Sequence, residues 1–217
     1  MRDFVETPAE SAGRTARPAT LESLFANARH AAYRPGQTIA ADGDPIAEVY
    51  QVVAGSVRCC AFTADGRRRI FRFARAGEFV GLADVDRWRF TVEAVDAVIL
   101  RVAKRGEVEA ALDASPALRR TLRRHVVDVI ATRERQLTVL AFEPAEKRLH
   151  WFLTEFAAKR KSGGYLTLPM TRQEIGDYLG LSLETVSRSF GALRRAGLIE
   201  MNGSEKFRFV DAPKAAA

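Results

Sequence analysis

Cysteine is scarce in this chain of 217 residues: Cys59 and Cys60 are the only two, and they are adjacent. Neighbours on an extended strand point to opposite faces, so a disulfide between them would be strained, and a reducing compartment fits the chain. Histidine is almost as rare, with His30, His125 and His150 and none between residues 31 and 124. A metalloenzyme barrel needs clustered His and carboxylate ligands, so neither a bound metal nor enzymatic activity is expected. Long apolar runs are also missing. Asp3 and Glu6 interrupt the N-terminal stretch, and no uncharged segment reaches bilayer-spanning length. No membrane association is expected, and the chain reads as a cytoplasmic protein.

What is present is cationic and folded. Lys and Arg outnumber Asp and Glu by 34 to 27, for a net charge of +7, which favours a polyanionic partner such as nucleic acid. A hydrophobic fraction of 47% supplies apolar surface for cores, and the length suits two small domains.

The chain divides by pattern. Residues 1–20 hold Pro8, Ser11, Gly13, Thr15 and Pro18 with few large apolar groups and read as a flexible arm. Residues 21–114 contain short alternating runs (VYQVV, SVRCCAF, RRRIFRFA, AVILRV) separated by turn signals, with Asp65-Gly66 the clearest hairpin. They predict an antiparallel β-roll or jelly roll. Residues 115–141 predict one long helix, opened by Ser115 as N-cap and Pro116 at the first helical position.

Along that helix Leu118, Leu122, Val126, Val129, Leu137 and Leu140 form a narrow apolar seam amid arginines. So thin a stripe suits the partner helix of a parallel homodimer, although its first turns also fit packing on the chain's own barrel. Phe142-Glu143-Pro144 marks a hinge, and residues 142–217 read as a separate unit. There Leu149, Phe152, Leu153 and Phe156 face inward on a helix, YLTLP is a short strand, and IEMNG and KFRFV flank a hairpin at Asn202-Gly203-Ser204-Glu205.

Between them lies TRQEIGDYLGLSLETVSRSFGALRRAGLI. Thr171 with Glu174 is a capping box. Gly180 can end that helix in the left-handed conformation, Gly176 permits a close approach, and Ser182 caps the next helix. Val186, Phe190 and Leu193 recur as a buried stripe, which leaves Glu184, Ser187, Arg188 and Gly191 facing out. A carboxylate accepts from cytosine N4–H, a guanidinium forks onto guanine O6 and N7, and a hydroxyl serves a base or phosphate. Glu184, Ser187 and Arg188 are therefore the candidate base contacts. Thr171, Arg172, Ser182, Thr185 and Ser189 are candidate backbone or auxiliary contacts. Taken together the expected fold is α+β: β-roll, long dimerisation helix and C-terminal winged helix-turn-helix.

This order of elements resembles the CRP/FNR family of bacterial transcription regulators across residues 21–210, and LPMTRQEIGDYLGLSLETVSRSFGALRRAGLI looks especially like its FNR and FixK branches. The Glu-x-x-Ser-Arg motif of those branches appears as Glu184, Ser187 and Arg188, with the apolar Leu183 before the glutamate. The resemblance implies a homodimer on a palindrome related to TTGAT-N4-ATCAA, with RNA polymerase as a further partner.

The sensor end departs from the family's best-known members. Glu78 precedes the Phe-Val-Gly step that the ribose-binding Glu of cyclic AMP receptors follows, and no small hydroxyl-Ala pair stands behind Arg89. Arg87 or Arg89 alone does not make a phosphate site. The cysteine-bound iron–sulfur cluster of FNR-type sensors needs four thiolates, and this chain has two. Cys59 and Cys60 are instead expected on a strand, one in and one out, with the exposed one open to oxidation. No cofactor and no small-molecule effector are expected. The alternative is a regulator of the same fold gated by a cyclic nucleotide or haem, His125 lying near the seam edge.

Overall fold

The computed structural model describes residues 20–83, 86–158 and 164–210. The expected flexible arm, apart from Thr20, lies outside the described residues.

A 3-10 turn at Leu21–Phe25 precedes eight strands: β1 (Arg29–Tyr33), β2 (Thr38–Ala40), β3 (Glu48–Ala54), β4 (Ser56–Phe62), β5 (Arg68–Arg75), β6 (Phe79–Val80), β7 (Thr91–Ala94) and β8 (Val98–Lys104). They form two antiparallel four-stranded sheets, ordered β1-β8-β3-β6 and β2-β7-β4-β5. Alternation drives the core. Val98, Leu100 and Val102 of β8 point inward to meet Val49, Val52, Val57, Cys59 and Val92. A chain of rings runs through the roll, Tyr50 stacked on Trp88 at 5.9 Å and Trp88 edge-on to Phe90 at 5.5 Å.

The register of β4 against β5 slips between the cysteines: Cys59 faces Arg72 but Cys60 faces Ile70, leaving Phe71 as the extra residue of a bulge. The slip matters because side chains alternate. It places Arg68, Ile70, Phe73 and Arg75 on one face of β5, beside Arg58 and Cys60 of β4. Cys59 lies in the roll's core, as alternation requires. Cys60, on the opposite face, is also fully buried, so the expectation that one of the two cysteines is exposed is corrected. Its face is roofed by the C-terminal domain, so neither thiol is exposed.

Residues 105–114, assigned to the β-roll by their position in the sequence, form a helix, α1 (Arg105–Ala114), whose Val108 enters the roll's core. The long helix follows as α2 (Pro116–Phe142), and the Ser115 hydroxyl accepts from Leu118 N as its cap. After the break at Glu143-Pro144 come α3 (Ala145–Ala157), β9 (Leu166–Thr167), α4 (Arg172–Leu179), α5 (Leu183–Arg195), β10 (Ile199–Asn202) and β11 (Lys206–Phe209). The last sheet has the order β10-β11-β9, the wing. Leu149, Phe152, Leu153 and Phe156 of α3 pack on Ile175, Leu179, Val186, Phe190 and Phe207 in a second core.

The seam expected on α2 divides between two faces. Leu118 is 5% exposed inside the β-roll core, and Leu122 packs against the same core. Leu140 packs on the core of the winged helix. Leu118 is buried within its own chain, and Leu122 and Leu140, eighteen residues and so about five helical turns apart on one face, are half-buried against the chain's two domains. Val126 and Val129 are half-buried at the edge of that face. Leu137 alone of the six is exposed, at 67%, together with Val127, Ile130 and, at the helix end, Phe142. Val127, Ile130 and Leu137 share the spacing of a heptad seam on the opposite side of the helix.

The two domains meet along the outer face of β4 and β5. Phe73 lies 5.5 Å from the Tyr178 ring of α4 and 6.2 Å from Phe152 of α3. Burial there pushes the Tyr178 phenol up to about 12. Arg75 donates to the carbonyls of Phe156 and Glu155 at the end of α3, with its guanidinium over the Phe156 ring.

Candidate nucleic-acid interface

The helix-turn-helix is built locally as its residues demand. Thr171 N donates to Glu174 Oε2 at 2.7 Å and Glu174 N donates to Thr171 Oγ1 at 3.2 Å, closing the capping box of α4. Gly180 ends the helix at φ 67°, a conformation that costs a side-chain-bearing residue roughly 1–2 kcal/mol. Leu181 N returns to Gly176 O at 3.0 Å, and a Cβ on Gly176 would stand 2.6 Å from the Leu181 carbonyl oxygen. Gly176 therefore makes room for the turn itself, more than for the second helix. Arg148 of α3, which sequence reasoning missed, donates to Glu143 O at 2.7 Å and Leu179 O at 3.3 Å, tying the interdomain hinge to the end of α4.

The next helix starts on Ser182, whose Oγ accepts from Thr185 N at 3.2 Å. Val186, Phe190 and Leu193 of α5 are 0%, 5% and 4% exposed against the core, whereas Glu184, Ser187 and Arg188 are exposed together on the far side. The Glu184 carboxyl is held below the ordinary carboxylate range by its own backbone N–H first, then by the Ser182 hydroxyl, with Arg188 adding to the effect. An ionised acceptor thus stands at the helix N-terminus.

The auxiliary candidates are distributed less uniformly. Thr171 and Ser182 are exposed and Thr185 half-exposed, and all three hydroxyls lie at the helix caps. Arg172 is turned inward: Nη2 donates to Ser204 O at the wing turn at 2.6 Å, and its guanidinium covers the Phe190 ring. Burial pulls its pKa down to about 10. Arg172 stitches the wing to α4, and so it is not a freely projecting phosphate contact. Ser189 is 1% exposed, so the expected auxiliary contact from it is corrected: one step past Arg188 the helix has rotated its side chain into the core. Four exposed cations that were not singled out surround the reading edge and the wing: Arg194, Arg195, Lys206 and Arg208. The basic pair ending α5 and the charges flanking the Asn202-Gly203 turn were the available signal.

The histidines are dispersed. His30 is exposed on β1, His125 stands edge-on to Phe79, and His150 edge-on to Phe209.

With this geometry in view, the likeness to known proteins is extensive. Residues 30–115 match the cyclic nucleotide-binding domain family and residues 147–214 the Crp-like helix-turn-helix domain family. The chain is 34% identical over 171 residues to the nitrogen fixation regulation protein FixK of Rhizobium meliloti (strain 1021), covering 79% of this chain and 78% of that one. The chain belongs to the CRP/FNR family of transcription regulators. Within this family it is FixK-like. The solved structure of FixK2 from Bradyrhizobium japonicum matches with a TM-score of 0.81 at 33% identity, over 85% of this chain and 93% of that one. The transcriptional activatory protein AadR of Rhodopseudomonas palustris is 31% identical over 186 residues, 84% of this chain and 78% of its own length. These relatives are transcription regulators, and no described helix of this FixK-like chain is long and apolar enough to cross a membrane.

Proposed function

We propose that this FixK-like regulator acts as a homodimer on a palindrome related to TTGAT-N4-ATCAA, with Glu184, Ser187 and Arg188 reading bases in successive major grooves. The observation that carries the reading is the division of α5. Its three apolar residues are buried, and its three readout residues are exposed as one edge. Two copies paired along α2 through Val127, Ile130 and Leu137, with Val126 and Val129 at the margin, place two such edges about one DNA turn apart. Thr171, Ser182, Thr185 and the wing cations serve the phosphates, and RNA polymerase is recruited by the DNA-bound dimer.

The β-roll works here as a scaffold with no cyclic nucleotide or iron–sulfur cluster. Trp88 fills the space beside Gly81, where an added Cβ would meet its ring at 2.7 Å. Arg87 is turned to the Gly43 carbonyl at 2.7 Å, and both cysteines are buried.

Glu184→Ala tests the reading. Loss of a base contact should weaken binding to the cognate palindrome by about 1–3 kcal/mol in a gel-shift titration, with little change on random DNA. Equal affinity of variant and wild type for the palindrome rejects it.

A further inference from the structure

Five charged side chains meet where the β-roll touches α4. Arg58 of β4 donates to Glu93, its cross-strand partner on β7, at 2.7 Å and also to Glu174. Arg68 of β5 donates through Nε and Nη2 to Asp177 Oδ2 at 3.2 and 3.1 Å, and lies 4.0 Å from Glu93. The side chains of Arg58, Glu93, Glu174 and Asp177 are 8–14% exposed, and that of Arg68 26%.

The placement of the two carboxylates on α4 is informative. Glu174 spends Oε2 on the backbone and hydroxyl of Thr171, starting the helix-turn-helix, and presents Oε1 to Arg58. Asp177 holds Gln173 Nε2 with one oxygen and Arg68 with the other. The roll therefore grips the DNA-binding domain by the same residues that organise its first helix.

Buried ion pairs add little net stability, because desolvation offsets their attraction, but a guanidinium fork constrains direction. The neighbouring ring contacts of Phe73 are apolar and non-directional. A head held by those contacts alone could pivot on the Glu143-Pro144 hinge. With the ion pairs closed, Glu184, Ser187 and Arg188 all remain exposed. The closed contact is thus compatible with DNA reading, and it fixes where the reading edge stands relative to α2.

We propose that Arg58 and Arg68, both remote from DNA, are positioning residues that set the half-site spacing the dimer accepts. The inference rests on the palindrome reading above. The bulge between the cysteines is part of the device, since it brings Arg68 onto the face that carries Arg58 and Phe73.

The test uses the full chain and three variants, Arg68→Glu, Asp177→Arg and the charge-swapped double. Each is titrated against the N4 palindrome, palindromes one base pair shorter and longer, and a single half-site. Wild type should prefer N4 spacing, Arg68→Glu should lose about tenfold of that preference with half-site affinity unchanged, and the swap, whose new carboxylate still stands beside Glu93, should recover part of it. Undiminished spacing preference in Arg68→Glu, or no recovery in the swap, overturns the proposal. So does tighter binding by Arg68→Glu, which would make the contact a brake.

A second measurement is independent of DNA. Because both native thiols are buried, spin labels at Phe62→Cys and Lys206→Cys report the distance between roll and wing. Arg68→Gln should broaden that distribution, and an unchanged distribution overturns the proposal even if Arg68→Glu does not fold. If wild type binds none of the palindromes, the palindrome reading fails and the spin-label distances alone decide the latch.

Discussion

Replacing Glu174 separates two contributions that one side chain makes. In Glu174→Gln the single amide oxygen can still accept from Thr171 N, since Gln also closes a capping box, but the amide NH2 then faces the Arg58 guanidinium where Glu174 presented Oε1, donor against donor. The charge-assisted hydrogen bond to Arg58 is lost, about 1.5–3 kcal/mol. Glu174→Ala removes both. The cap contributes about 1 kcal/mol. The Arg58 guanidinium, 11% exposed, then keeps only Glu93, so its loss stays below the roughly 3–5 kcal/mol of a wholly abandoned buried charge. The expected total is about 2.5–4 kcal/mol for Ala against about 1.5–3 kcal/mol for Gln, with Ala the costlier by the cap, about 1 kcal/mol. The two tryptophans provide the assay, Trp88 in the roll's core and Trp151 against the winged-helix core. Urea unfolding of the Trp88→Phe and Trp151→Phe backgrounds follows each domain alone, and the loss should appear chiefly at Trp151. Equal destabilisation by Gln and Ala, or a shift seen only at Trp88, would refute the reasoning.

The two faces of α2 predict opposite phenotypes: Leu118→Ala should destabilise the roll by about 2–5 kcal/mol in chemical denaturation, while Leu137→Glu should leave folding intact and shift sedimentation toward monomer. A Leu137→Glu protein that stays dimeric removes the exposed stripe as the seam. Ser189→Ala should leave DNA affinity unchanged and Ser187→Ala should lower it, because Ser189 Oγ is buried without a partner and Ser187 is exposed. Burial pushes the Cys60 thiol up to about 12, with Glu93 nearby adding to the effect. A thiol whose folded pKa is raised above its unfolded value contributes stability below that unfolded value, about 9, and this is lost as pH rises toward about 12. Native protein at pH 8 should therefore resist alkylation at Cys60 and react once unfolded; rapid native labelling contradicts the burial.

The helix-turn-helix was legible almost to the residue because its determinants are local. Thr171, Glu174, Gly180 and Ser182 act within four positions of where they stand, and Val186, Phe190 and Leu193 declare their face by spacing. What depends on contacts between distant segments was not legible. The periodicity of α2 identified an apolar stripe, but a helix packed on its own two domains and a helix packed on a second copy show similar stripes, so the spacing alone did not separate Leu118, Leu122 and Leu140, which pack on the chain's own domains, from the exposed Leu137. Cys60 followed the alternation of its strand correctly. Its burial depends on a domain more than a hundred residues away folding over that strand. Ser189 was misplaced by one step of helical rotation, and Arg172 by a wing that could not be located from the linear order. The ion pairs Arg58–Glu174 and Arg68–Asp177 leave no local trace, each joining residues over a hundred positions apart.

A rod clad on one flank by its own subunit and bare on the other links solidity to abundance. Leu118 and Leu122 bind the rod to the roll, while Val127, Ile130 and Leu137 are exposed and, in the proposed dimer, meet a second copy. Association would then draw each subunit toward its ordered form by mass action, so melting temperature should climb with protein concentration. A cell could set the working level of such a switch simply by how many copies it makes.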